Sequence, residues 1–257
     1  MHMFRSIVFC AALVGLIAGL IIGVVQHFST TELILRAEVY EKAAEAAEAR
    51  APAPVAPAAV AAVPVATHDH GAAGHDHPAA MADHQHDAAA WERREGFERT
   101  AFTVLSNVVT AIGYALALVG LLALRGKPVD WRAGLLWGLG GFAAVTLAPG
   151  LGLSPSLPGV PDAPLVDRQV WWVATALCTG LGLALVAFGR NAFAVALALC
   201  LIAAPHVIGA PRLDSVDTLV PAALSHQFTV AVTLTSLMFW ALLGTLSGLF
   251  YRRFAAA

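Results

Sequence analysis

The stretch AFTVLSNVVTAIGYALALVGLLAL, Ala101 to Leu124, contains no Asp, Glu, Lys or Arg. As an α-helix rising about 1.5 Å per residue it reaches about 36 Å, enough to cross the ~30 Å hydrocarbon core of a bilayer. Five more runs repeat the pattern: Ile7–Phe28, Ala133–Leu153, Val170–Phe188, Ala192–Gly209 and Phe228–Phe250, again without those four residue types. A bilayer interior offers no water to backbone N–H and C=O groups, so each run must satisfy them internally as a helix. The expected fold is an all-α integral membrane protein, a bundle of about six transmembrane helices with one long His-rich loop. Gly113, Gly120, Gly134, Gly138, Gly140, Gly141, Gly180 and Gly182 supply the small surfaces through which membrane helices approach one another.

The rest of the composition agrees with a lipid solvent. Of 257 residues 58% are hydrophobic and only 12% charged, outside the range of soluble domains. A formal charge of −2 with scattered basic residues gives no footprint for nucleic acid. Cys10, Cys178 and Cys200 lie in separate apolar runs with no CxxC spacing, so they read as small packing or lipid-facing residues rather than a redox pair. The first run is longer than a signal-peptide core and no Ala-x-Ala site closes it, which favours a retained helix.

Three regions follow: residues 1–28, the first transmembrane helix; residues 29–100, a segment outside the membrane; and residues 101–257, the other five helices. Within the second region Thr31–Arg50 is rich in Ala and Glu and extends the first helix. Ala51–Ala66 alternates Ala, Val and Pro as an extended linker, and Ala88–Thr100 reads as a short interfacial helix anchored by Trp91 and Phe97. Arg125, Lys127, Arg132, Arg190, Arg252 and Arg253 fall in one set of loops and the tail, whereas the alternate loops carry only Arg168 and Arg212. The positive-inside rule then puts both termini in the cytoplasm and the long segment in the periplasm of a bacterial inner membrane.

Between the linker and the interfacial helix lies HDHGAAGHDHPAAMADHQHD, His68 to Asp87. Its three His-x-His pairs, His68/His70, His75/His77 and His84/His86, stand among four aspartates. Imidazole nitrogen and carboxylate oxygen suit divalent cobalt, nickel, zinc and copper, and the Gly and Ala spacers let pairs wrap an ion. Their irregular spacing departs from a rigid tetrahedral zinc site and describes a weak collector of several ions. His27 closes the first run, His206 lies near the end of the fifth and His226 opens the sixth, with Asn107 a turn or two into the second. By the loop charges all four fall on the outer side, where coordinating groups at a membrane edge mark an ion pathway. They are the candidate metal-access residues. Pro205 beside His206 removes a backbone donor, so a kink that frees a carbonyl near the imidazole is expected.

No carboxylate lies within a span and no Walker A sequence is present, so neither a buried proton carrier nor an ATPase is encoded in the chain. Ser247 sits in a Leu-Ser-Gly context, but its depth differs from that of His206 by roughly 20 Å at 1.5 Å per residue, too far for a serine–histidine pair. No HExxH occurs either. An enzyme is not expected.

Several stretches together resemble the CbtA family of predicted cobalt transporter subunits: AEVYE at Ala37–Glu41; PGLGLSPSLPG at Pro149–Gly159 followed by RQVWW at Arg168–Trp172; PHVIGAP at Pro205–Pro211; VPAALSHQF at Val220–Phe228; and FWALLG at Phe239–Gly244. The resemblance implies cobalt uptake associated with cobalamin synthesis, with no permanently bound cofactor, and a small membrane partner, CbtB. His206 matches the family's Pro-His pattern. Ser156 and Ala223 stand where glutamates are expected, so no carboxylate role carries over to them, and His226 and the His-rich insert lie outside the pattern. The expected function is that of a subunit of a divalent transition-metal uptake system; the alternative is a membrane-anchored metal-binding or assembly protein whose partner forms the pore.

Overall fold

The computed structural model describes residues 2–50, 97–213, 215 and 217–255. The chain is helical throughout its apolar runs: α1 (His2–Ser29), α2 (Thr31–Glu48), α3 (Phe97–Arg125), α4 (Trp131–Gly141), α5 (Ala148–Gly152), α6 (Leu165–Phe188), α7 (Ala192–Ile208) and α8 (Ala222–Ala255). Among the described residues there is no strand. A π-helical segment, Phe142–Leu147, joins α4 to α5, so the pieces form one span over Trp131–Gly152. Asp130 and Asn191 start α4 and α7 by accepting the backbone N–H of Ala133 and Ala194, each at 2.8 Å, the local signature of an N-cap.

Five helices are long and apolar enough to span a bilayer, and α7 is a shorter apolar helix of 17 residues. Packing decides how α7 is used. Ile7 of α1 and Phe250 and Phe254 of α8 share one cluster, while Ser29 near the other end of α1 meets Thr235 of α8 at 3.4 Å. The first and last helices are therefore antiparallel. Helix α7, about 25 Å long, lies alongside α6, with His206 near its end beside Trp171 of α6. It packs on α6, where a Cβ at Gly182 would stand 2.6 Å from Ile202.

Helix pairs are fastened by glycine. Gly15, Gly19 and Gly23 of α1 recur every fourth residue; Cβ atoms there would fall 2.5 Å from Ile112 Cα, 2.6 Å from Val108 Cα and 3.1 Å from Val104. Gly134 and Gly138 of α4 meet Gly244 and Gly248 of α8 backbone to backbone, with a Cβ at Gly244 colliding with the Gly134 carbonyl and standing 2.8 Å from Gly138 Cα. In lipid, helices gain little by hiding apolar surface from their solvent, so this close van der Waals approach is what associates them. Between these seams lies a dry core of Cys10, Ala11, Val14, Ala18, Ala111, Ala115, Leu118, Val119, Phe142, Trp240 and Leu243.

Two features depart from a uniform row of spans. Pro149 lacks the N–H that an α-helix would use, and the chain just before it widens, with Ala148 N–H reaching back to Ala143 O, so the proline is accommodated without a break. Trp240 docks at this widened turn, its indole N–H donating to Thr146 Oγ1 at 3.1 Å. The sixth run's helix, α8, begins at Ala222 and α6 begins at Leu165, each about a turn before its uninterrupted apolar run; Pro164 and Pro221, just before the first helical turn, set both starts.

Replacing Gly244 by Val should overpack the α4–α8 seam and cost about 1–3 kcal/mol or more, read as a lowered thermal midpoint of the purified protein in detergent. Gly140→Ala, whose Cβ would meet nothing within 4 Å, should stay within about 0.5 kcal/mol of the parent. Equal losses for the two would contradict a glycine-fastened seam.

Candidate metal-access end of the bundle

Most of the side-chain hydrogen bonds that join different helices lie at the end where α1 passes into α2. Gln26 organises that junction. Its carbonyl accepts Thr30 N–H at 3.0 Å, Thr30 Oγ1 at 3.2 Å and Thr31 Oγ1 at 3.1 Å, and its side-chain oxygen accepts Asn107 Nδ2 at 2.6 Å. Asn107 is thus a clamp between α1 and α3, a bond of the type that contributes about 0.6–2 kcal/mol in a membrane.

Beside the junction opens a cavity of about 750 Å³ between α1, α2, α3 and α8, lined by Gln26, His27, Thr31, Glu38, Arg99 and Thr235 among others. Arg99 grips Glu38 with both terminal nitrogens, Nη1 to Oε2 at 3.3 Å and Nη2 to Oε1, tying α2 to the start of α3. This hydrogen bonding, with the charges of Arg99 and Lys42 behind it and some desolvation opposing, holds the Glu38 carboxyl below the usual glutamate range.

A second group of side chains forms around Trp171. Its indole N–H donates to Pro205 O at 3.2 Å, the same carbonyl that takes Gly209 N–H at 3.0 Å to close α7. The His206 ring meets Trp171 edge-on at 5.9 Å. Gly152 abuts the indole so closely that a Cβ there would collide with it. Helix α7 runs through Pro205 to Ile208, and the bonded oxygen beside the imidazole is Pro205's own.

His226, exposed in the second turn of α8, lines two cavities. One, about 580 Å³, lies against Val25 and Ser29 of α1; the other, about 420 Å³, is bounded by the loop after α5 and by Arg168 and Arg212. In the latter Asp162 accepts Arg168 Nη1 at 2.7 Å and the Ser156 hydroxyl.

His27, Asn107, His206 and His226 therefore share one end of the bundle but occupy separate surroundings. Among the described residues no three His, Cys, Asp or Glu side chains are grouped as a metal ion would need. His68, His70, His75, His77, His84 and His86, with the linker and most of the interfacial stretch, lie outside the described residues. Gln26, Glu38, Arg99 and Trp171 are the participants that sequence reading passed over as site residues. Glu38 lay within AEVYE and Trp171 within RQVWW, yet neither spacing nor charge marks which neighbours a fold will give them.

The same geometry explains why the Pro- and Gly-rich stretches occur. Ala37 of AEVYE is fully buried against Leu157 of PGLGLSPSLPG and Val220, Leu224 and Phe228 of VPAALSHQF. Gly159, at φ +76°, lets that loop lie against Glu41, and Thr218 Oγ1 donates to its carbonyl at 2.7 Å. Helix α2 is thereby held down on the bundle.

A family described as probable cobalt transporter subunit (CbtA) matches residues 4–252 of the chain. No curated protein and no solved structure matches it.

Because the folded-state pKa of Glu38 is depressed, its bond to Arg99 contributes stability above the unfolded value of about 4.3 and loses it as pH falls through the lower folded value. Glu38→Gln should unfold at a lower temperature than the parent at pH 7, and the gap should narrow progressively as pH falls below about 4.3. Thermal scans from pH 7 to 3 check this; a gap that stays constant contradicts it.

Proposed function

The chain belongs to the CbtA family of probable cobalt transporter subunits, and from that premise we propose that it receives divalent cobalt at the histidine-bearing end of its membrane bundle as a subunit of an uptake system. Integral membrane character and a general cobalt-transport role come with the family and the apolar helices, and a transporter subunit is not an enzyme class. The observation that carries the finer reading is the cavity lined by His27, Gln26 and Glu38, opening at the same end as His206 and His226. The metal is cargo. His27, His226 and His206, with Asn107 and Gln26 shaping the first of these surroundings, serve as separate stations that an ion visits rather than as one coordination shell.

In sequence the His-rich tract from His68 to His86 falls between α2 and α3, the two helices that flank the cavity, and on this reading it is the ion collector. The loop charges orient this end to the periplasm of a bacterial inner membrane, with both termini cytoplasmic. Division of the chain into residues 1–28, 29–100 and 101–257 describes this reading functionally: anchor, collector and bundle.

One observation favours the second reading, in which a partner forms the pore. Directly between α1, α3 and α8 the core is apolar and fully enclosed, and α7, which carries His206, presents Val207 and Ile208 more than three-quarters exposed. A small membrane partner of the CbtB type, laid along α7, would complete a passage that this core does not offer. Link to cobalamin synthesis rests on the family resemblance.

Reporter domains fused after Ala66 and Pro161 should report the periplasm, and fusions after Lys127 and Ala257 the cytoplasm. A cytoplasmic signal after Ala66 would overturn the orientation.

Uptake of radioactive cobalt in the native host tests the stations. Removing Thr67–Asp87 should raise the half-saturating concentration while leaving the maximal rate nearly intact, since a collector raises local concentration without forming the path. His206→Ala should cut the maximal rate severalfold, and His2→Ala should not. An unchanged maximal rate for His206→Ala would remove His206 from the pathway.

A further inference from the structure

We propose that the loop after α5 and the first turns of α8 form a site for one phospholipid with an anionic headgroup, its phosphate held by Arg168 and Arg212 and an acyl chain laid along α8. The inference goes beyond ion handling and needs only the membrane setting.

The cavity of about 420 Å³ bounded by that loop carries two guanidinium groups, Arg168 and Arg212, and one carboxylate, Asp162, among its described lining residues. Positive charge is in excess. Asp162 accepts Arg168 Nη1 at 2.7 Å, whereas Arg168 Nε is buried and has no hydrogen-bond partner. Leaving a buried donor unmade is costly, and the planar guanidinium fork matches the oxygens of a phosphate. Arg212, in the segment after α7, is exposed. Helix α6 starts beside the cavity with no side-chain cap, so its unpaired N–H groups add partial positive charge to that of the arginines.

Charge alone would suit a free phosphate ion, and the neighbouring groove is what selects a lipid. That groove, about 580 Å³, shares His226 with the charged cavity and is walled chiefly by apolar side chains of α1 and α8, among them Val25, Val230, Leu234 and Met238. Val230, Leu234 and Met238 are exposed, so the groove opens to the bilayer. From His226 to Met238 the helix rises about 18 Å, roughly the depth of one leaflet of a ~30 Å hydrocarbon core. A cationic pocket at the membrane edge, continued by an apolar slot one leaflet deep, matches the headgroup and chain of a single phospholipid. A free anion would leave the slot unused, and a lipid without net charge would leave the guanidinium groups uncompensated. Phosphate held there also offsets two positive charges that would repel a cation approaching His226.

The test is thermal unfolding of the purified full chain in detergent, titrated with phosphatidylglycerol, phosphatidylcholine or inorganic phosphate. A ligand that binds only the folded state raises the midpoint as its site fills. Phosphatidylglycerol is expected to raise it at concentrations where the other two do not. Arg212→Gln is expected to raise the half-effective phosphatidylglycerol concentration about fivefold, and Leu234→Trp, which fills the groove, should raise it too. Arg190→Gln, in the turn before α7 and so at the opposite end of that helix from His206, should leave it unchanged. Equal shifts by the two lipids, or parent-like values for Arg212→Gln or Leu234→Trp, overturn the inference. A midpoint raised as far by inorganic phosphate identifies a free-anion pocket and overturns the lipid assignment. If Arg212→Gln cannot be purified intact, Leu234→Trp decides alone: a raised half-effective concentration supports the site, and an unchanged one overturns it. None of these readouts involves cobalt, so their failure is distinct from failure of the proposed function.

Discussion

Contact between the backbones of α4 and α8 is the constraint on which the rest of the molecule depends. Lipid chains are as apolar as Leu and Val, so a helix in the bilayer is not driven onto its neighbour by water, and association needs close van der Waals approach. Gly134 and Gly138 against Gly244 and Gly248 provide it over two turns of each helix. Helix α8 then serves as the spine, packing on α1, α2, α3, α4 and the π-helical segment. Its early turns are free to diverge, and that is where Phe228, Val232 and Thr235 bound the large cavity.

The two halves of the bundle consequently differ in character. Around Cys10, Leu118 and Leu243 every side chain of the core is apolar and enclosed, and polar atoms that stray inward fare poorly: Ser247 Oγ, fully buried, has no hydrogen-bond partner. Toward the other end, hydroxyls and amides take over the α1–α2 junction, with Gln26 bonded through both its carbonyls. Burying polar groups without partners is costly, so they gather where a cavity admits water.

Holding α2 against the bundle closes the third side of this arrangement. Ala37 lies under the loop after α5 because Gly159 takes a left-handed turn there, and the Glu38–Arg99 pair fastens the next turn to α3. A freely projecting α2 would leave Glu38 in open water, where an exposed ion pair contributes little. Docked, the helix turns the carboxylate into part of a cavity wall. The Trp171 cluster plays a comparable part for His206, since the indole bond to Pro205 O and the Gly152 contact fix the end of α7 on which the imidazole sits.

Sequence by itself determined the kind of the elements, because hydrocarbon thickness and the need to satisfy every backbone group leave a long uncharged run no choice but a helix; that α7 falls short of the other five spans came from the structure. It also located histidines near the ends of their helices, since position along a helix is depth across a membrane. The resemblance to cobalt transporter subunits was legible in the order of AEVYE, PGLGLSPSLPG, PHVIGAP and VPAALSHQF, although what those stretches do physically was not. Only the tertiary structure decided that Ala37, Leu157 and Phe228 meet, that Asn107 bonds Gln26 rather than standing beside an imidazole, and that Glu38 shares a cavity with His27. Apolar periodicity fixes depth but leaves rotation about the helix axis and the choice of neighbour open. In this bundle those are settled by which glycines let two backbones touch, a property of pairs of helices that no single stretch of sequence contains.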